Sequence, residues 1–107
     1  MKKIFLLFIF TTSTMFAQIE KIEPPFWYAG MHNPELQIMF YGKNIAKYQI
    51  SVSNSIKITK VQRTENPNYV FVTINTKNSP ASDFVFTFKG NNSVAFTQNY
   101  SLKKRRE

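Results

Sequence analysis

Asp83-Phe84-Val85-Phe86-Thr87-Phe88-Lys89 sets a phenylalanine at every second position, and that period decides the fold. Successive side chains of an extended strand point to opposite faces, so Phe84, Phe86 and Phe88 line one face while Val85 and Thr87 line the other. The same alternation puts Leu36, Ile38 and Phe40 on one side of Leu36 to Tyr41, and Val70, Val72 and Ile74 on one side of Tyr69 to Asn75. No apolar stripe of helical period competes with it.

Working outward, short apolar runs recur about every ten residues, the spacing of a β-sandwich. Seven are predicted as strands: Ile19 to Ile22, Leu36 to Tyr41, Tyr48 to Ser53, Ile56 to Arg63, Tyr69 to Asn75, Asp83 to Lys89 and Val94 to Leu102. Between them lie Gly42-Lys43-Asn44, Asn66-Pro67-Asn68, Asn78-Ser79-Pro80 and Gly90-Asn91-Asn92, residue types that supply turn geometry or bond locally to the backbone. Hairpins and Greek-key crossings follow. The expected fold is all-β: an immunoglobulin-like sandwich of about seven strands in two antiparallel sheets, with inward Phe, Ile and Val meeting between them.

At its start, Lys2 and Lys3 precede an apolar run from Ile4 to Phe10, followed by a Thr- and Ser-rich stretch and Ala17. Basic, apolar and small-residue segments in that order are the grammar of a signal peptide, with cleavage expected before Gln18. The run is far shorter than the roughly 20 apolar residues a bilayer-spanning helix needs, so no membrane anchor is expected. No cysteine is present to carry a lipid. The expected product is exported, to the periplasm or outside the cell.

Removing residues 1–17 leaves 90, enough for one domain with a modest core. The absence of cysteine denies that core a disulfide. Seven Phe, five Tyr and Trp27 remain to supply large buried areas instead. The formal charge of +8 is unevenly spread: residues 18 to 102 hold eight Lys or Arg against five acids, and Lys103-Lys104-Arg105-Arg106-Glu107 concentrates most of the remainder in a basic tail read as the start of a linker. Basic tails bind phosphate, but an exported chain has little access to nucleic acid, and none is expected as a partner.

The inventory of reactive groups is poor. His32 is the only histidine, there is no thiol, and the mature chain holds only Glu20, Glu23, Glu35, Glu65, Asp83 and Glu107 as carboxylates. Histidine-rich or thiolate metal sites and Ser-His-Asp catalysis are not expected. Gly30, Gly42 and Gly90 stand singly, so no phosphate-cradling loop is present. Neither cofactor, metal nor catalytic residue is assigned. What composition does not explain is Pro24-Pro25-Phe26-Trp27-Tyr28-Ala29-Gly30-Met31. Three consecutive aromatics cannot all face one core. The small Ala29 and Gly30 suggest a flat aromatic surface beside close-fitting backbone. Phe26, Trp27, Tyr28 and Met31 are therefore the candidate contact residues, for a protein interface or for stacking on a sugar ring, unless Trp27 simply plugs one end of the core.

Ile22-Glu23-Pro24-Pro25-Phe26-Trp27-Tyr28-Ala29-Gly30-Met31 resembles the opening of bacterial cyclomaltodextrinases and neopullulanases of the α-amylase family. The resemblance continues through Leu36 to Gly42, Asn66 to Val72, Phe84 to Phe86 and Tyr100 to Arg105, and so covers nearly all of the mature chain, residues 18–107. Tyr28 stands where many relatives carry a second Trp. The resemblance implies an immunoglobulin-like N-terminal domain preceding a catalytic (β/α)₈ barrel that bears the aspartate nucleophile and the glutamate acid. No residue of this sequence matches those two. It also implies a non-catalytic accessory domain of a maltodextrin- or cyclodextrin-degrading glycoside hydrolase, truncated before its barrel, with residues 18–102 as the domain. The implied partners are that barrel, a maltooligosaccharide or cyclodextrin, and a second copy in a homo-oligomer. The alternative is a stand-alone glycan-binding module.

Overall fold

The computed structural model describes residues 19–53, 56–91 and 93–104. The signal-peptide reading of residues 1–17 and the last residues of the basic tail lie outside them. The chain forms β1 (Lys21–Glu23), β2 (Trp27–Tyr28), β3 (Glu35–Tyr41), a 3-10 turn (Ile45–Lys47), β4 (Gln49–Val52), β5 (Lys57–Arg63), β6 (Tyr69–Asn75), β7 (Ser82–Lys89) and β8 (Val94–Lys103). Every run predicted as a strand overlaps one; the bounds coincide at Tyr69–Asn75 and elsewhere differ by a residue or more at one end or both. An eighth strand, β2, comes from the aromatic block, whose two-residue pairing is too short to leave an alternation in the sequence.

Two four-stranded sheets result, ordered β1-β3-β6-β5 and β2-β8-β7-β4. Taking β2 as an offshoot of the first strand, this is the strand order of an immunoglobulin sandwich, in which the first, second, fifth and fourth strands form one sheet. The first sheet is antiparallel throughout; the second is mixed, because β2 runs parallel to β8. β5–β6 and β7–β8 are hairpins, whereas the chain changes sheet at every other connection, from β1 to β2, β2 to β3, β3 to β4, β4 to β5 and β6 to β7.

Alternation carries the core as the sequence indicates. Leu36, Ile38 and Phe40 of β3 and Val70, Val72 and Ile74 of β6 are buried from one side, and Phe84, Phe86 and Phe88 of β7 with Tyr100 and Leu102 of β8 from the other. Phe40 meets Phe86 and Phe88 edge-on, with centroids 5.2 and 5.3 Å apart. The tilted, edge-on approach suits the quadrupoles of the rings. At one end Phe96 stacks on Phe88 at 4.6 Å and receives the edge of Tyr48 at 5.2 Å. Arg63 closes that end by donating from Nε to the Ala46 carbonyl and from Nη2 to the Tyr48 carbonyl, both at 2.7 Å.

One local departure matters for the outer surface. Ile58 and Val61 both pack toward the core although they are three residues apart, an odd spacing that strict alternation forbids. The register resolves it: Ile58 pairs with Ile74 and Lys60 with Thr73, leaving Thr59 as the extra residue of a bulge. A bulge shifts the alternation by one residue. Lys60 and Gln62 are thereby turned to the outer face.

The edge-on contacts of Phe40 yield a direct expectation. Phe40→Ala should lower unfolding free energy by about 3–5 kcal/mol, the usual loss for a fully buried phenylalanine. Urea denaturation followed by Trp27 fluorescence measures it, and a loss below about 1 kcal/mol would mean that the two sheets are not held through this ring.

Candidate functional site

β1 stops at Glu23 because Pro24 and Pro25 have no N–H with which to continue the ladder to β3. The Glu23–Pro24 peptide bond is cis. Beyond the two prolines the chain joins the opposite sheet, where Trp27 is level with Leu102 and Tyr28 with Lys103. The Ala29 amide then donates to the Lys103 carbonyl at 3.0 Å. The crossing is tied from beneath by Tyr100, whose hydroxyl donates to the Pro24 carbonyl at 2.8 Å. Tyr100 is only 2 % exposed, and burial pushes its phenol well above the usual tyrosine range. The proton is therefore held on the oxygen that makes this bond.

Residues level with each other in a parallel pair share a face. Trp27 accordingly takes the inward side with Leu102 and packs against the core cluster, half-buried. Phe26 and Tyr28 take the outward side and meet edge to face at 5.7 Å. The Lys103 ammonium sits 4.3 Å from the centre of the Phe26 ring, within cation–π range. The block thus divides as alternation requires: one ring in, two rings out. Lys103, expected as the first linker residue, is the last residue of β8 and forms part of this outward cluster.

Met31 does not join them. It lines a shallow depression of about 540 Å³ at the end of the sandwich with Gly30, His32, Pro34, Thr76 and Asn78. Gly30 adopts φ +74° with nothing within 4 Å of where a Cβ would stand. The close-fitting backbone expected there is not found; glycine serves the left-handed turn out of β2. The depression is walled by Thr76, whose amide and hydroxyl both donate to the Pro34 carbonyl at 2.8 Å.

A family model described as the cyclomaltodextrinase N-terminal domain matches residues 21–106. This chain belongs to that family. The matched stretch begins with β1, includes the Pro-Pro crossing and the divided aromatic block, and passes through β8 into the basic tail. As a cyclomaltodextrinase N-terminal domain it is a domain of an α-amylase-family glycoside hydrolase, consistent with a catalytic barrel in cis.

Sequence reasoning missed a second set of aromatics, on the outer face of the first sheet. Tyr41 and Tyr69 are cross-strand partners with rings 4.8 Å apart, and Met39 pairs with Phe71 one step along; all four are half-buried. Beyond them Gln37 Nε2 donates to Gln62 Oε1 at 3.3 Å across β6. These residues are the alternate set to the core residues of the same strands, so the pattern that exposed the core also contained them. An outward residue is normally polar, and four apolar or aromatic residues in register were the legible signal.

The Tyr100 bond gives a measurable consequence. A folded-state phenol raised by burial contributes stability that is complete below the unfolded tyrosine value near pH 10 and is lost as the pH rises toward the folded value. In alkaline spectrophotometric titration, one tyrosine of the wild-type chain should therefore ionise only as the fold is lost, and Tyr100→Phe should abolish that late step while costing about 1 kcal/mol for the missing hydrogen bond. A variant that keeps the late step assigns it to another tyrosine.

Proposed function

We propose that this chain is an exported, non-catalytic accessory domain of a maltodextrin- or cyclodextrin-degrading glycoside hydrolase. It packs on the catalytic barrel and so contributes to substrate access or to contacts between subunits. The observation that carries the reading is the outward pair Phe26 and Tyr28, joined by Lys103, on a segment within the stretch the family model matches. Two rings standing edge to face on a surface strand are the residue types enriched at the buried centre of protein interfaces, and Lys103 beside them has the character of the polar rim. The inward placement of Trp27 commits much of its area to the domain's own core, which favours packing over stacking of Trp27 on a sugar. Export is supported by Lys2, Lys3, the apolar run to Phe10 and Ala17.

Association is testable with the full chain and a cyclomaltodextrinase barrel stripped of its own N-terminal domain. Addition of the chain should raise the melting temperature of the barrel, by about 4 °C for each kcal/mol of coupling in a small domain and less for a barrel. Tyr28→Ala, which removes an outward ring, should weaken the association roughly tenfold. Equal melting of the barrel with and without the chain, together with no complex in sedimentation velocity, removes the packing role. For export, mass spectrometry of the product secreted from a bacterial host should find Gln18 at the amino terminus; full-length chain retained in the cytoplasm defeats that part.

A further inference from the structure

At the end of the sandwich remote from Phe26 and Tyr28, the 3-10 turn leads into β4 beside the end of β7, where Gln49 pairs with Lys89. A cleft of about 580 Å³ opens there, lined by Lys47, Tyr48, Gln49, Lys89, Gly90 and Asn91. The charged groups among these are two ammoniums, with no carboxylate. Its walls are held by contacts beneath them. Tyr48 is only 8 % exposed, its ring edge-on to Phe88 and Phe96 at 6.4 and 5.2 Å. Lys47 extends over that ring with Nζ 5.2 Å from the centroid, within cation–π range. The Gly90 amide donates to the Ser93 carbonyl at 2.9 Å and closes the turn that carries Asn91. Behind the cleft stands a third cation. Arg63 gives Nε and Nη2 to the Ala46 and Tyr48 carbonyls, which use those donors and leave the charge unbalanced. Among the described residues the one ion pair closer than 4 Å joins Lys21 to Glu23, so Lys47, Lys89 and Arg63 have no carboxylate at that range. Glu65, two residues beyond Arg63, is not part of the lining.

We propose that this cleft binds a doubly charged oxyanion of the phosphate or sulfate class between Lys47 and Lys89, with the side-chain amides of Gln49 and Asn91 as further donors. Three positive charges brought together from separate elements repel one another, and a dianion seated between the two free ones replaces that repulsion with attraction. Each ammonium is a compact charge with three donors, and charge-assisted bonds to an oxyanion are stronger than neutral ones. A neutral ligand would leave both charges unbalanced. A polyanion such as a nucleic-acid backbone needs cations spread along its path, whereas the next outward positions of β4, β7 and β8 are Ser51, Thr87 and Thr97, none of them charged. The cleft therefore suits a single anionic group. That group is the same whether it arrives as a free ion or as a terminal ester on a larger molecule. The site stands at the opposite end of β8 from Lys103, so its occupancy and the packing of Phe26 and Tyr28 on a barrel do not compete.

The test is titration of the isotope-labelled full chain, in mildly alkaline buffer at constant ionic strength, followed by backbone amide chemical shifts. The probes are inorganic phosphate, sulfate, glycerophosphate and, as the singly charged comparison, nitrate. Saturable shifts confined to Lys47–Gln49 and Lys89–Asn91 with the divalent anions are the expected result. Lys47→Gln and Lys89→Gln should each weaken that binding roughly two- to fivefold, the range of one exposed charge pair, and their combination should abolish saturation. Lys57→Gln removes the same charge at the far end of β5 and should leave affinity unchanged. Tighter saturation by glycerophosphate than by phosphate assigns an ester as the source, and equal or weaker saturation assigns the free ion; both uphold the site. The site is overturned by shifts that do not saturate, by an equal response to nitrate, or by affinity unchanged in the double lysine variant. Weakening by Lys57→Gln as large as that by Lys47→Gln also overturns it, since net charge alone would then draw the anion.

Discussion

Everything in this molecule hangs on rings of one sheet touching rings of the other. Phe40 on β3 reaches across the sandwich to Phe86 and Phe88 on β7. In the antibody form of this architecture the corresponding two strands are joined by a disulfide packed against a buried tryptophan. Here there is no cysteine, and the join is apolar. Such a join is non-directional in its hydrophobic part but close-packed in its geometry, so it fixes sheet separation without fixing a single covalent path. Ring contacts within the second sheet, Tyr100 against Phe84 and Phe96 against Phe88, extend the aromatic packing along the core. A small domain buries a limited share of its surface, and dense aromatic packing is how this one compensates.

The second constraint is the crossing at Pro24 and Pro25. By ending one ladder and starting another, the prolines place the first stretch of the chain on both sheets, and the Tyr100 hydroxyl secures the transfer by taking up the Pro24 carbonyl. A buried carbonyl without a partner would be costly. The functional consequence is geometric. Because β2 lies beside β8 and runs parallel to it, Trp27 follows Leu102 inward and Tyr28 follows Lys103 outward. The same three aromatics on an unpaired loop would have no such division. The segment thus sends its rings to two sides, with Trp27 packed against the core and Phe26 and Tyr28 on the outward side.

The two faces of the sandwich differ in what they present. That of the second sheet is largely Ser, Thr, Asn and Asp along β7 and β8, with the aromatic pair at one edge. That of the first sheet carries Met39, Tyr41, Tyr69 and Phe71 toward one end of its two inner strands, followed by amides and hydroxyls. The bulge at Thr59 contributes to this difference: a single inserted residue lets β5 supply both Ile58 and Val61 to the core and still send Lys60 and Gln62 outward. One strand therefore serves the core and the outer face.

Sequence alone determined the all-β class, the seven longer strands and nearly all of the core, because a period of two with apolar residues on one side has only one way to be buried. The turn residues and the family-specific Pro-Pro-Phe-Trp block were equally legible, since they are local. It also showed that Phe26, Trp27 and Tyr28 had to be divided between two sides. Which ring went inward was decided by the tertiary structure alone, because that depends on the register of β2 against a strand more than 70 residues away. The same holds for Met31, separated from the aromatic pair by the left-handed turn at Gly30, and for the outer face of the first sheet, assembled from rows that no single strand contains. A strand announces its own faces in its sequence; what stands opposite each residue is set by pairing across the fold.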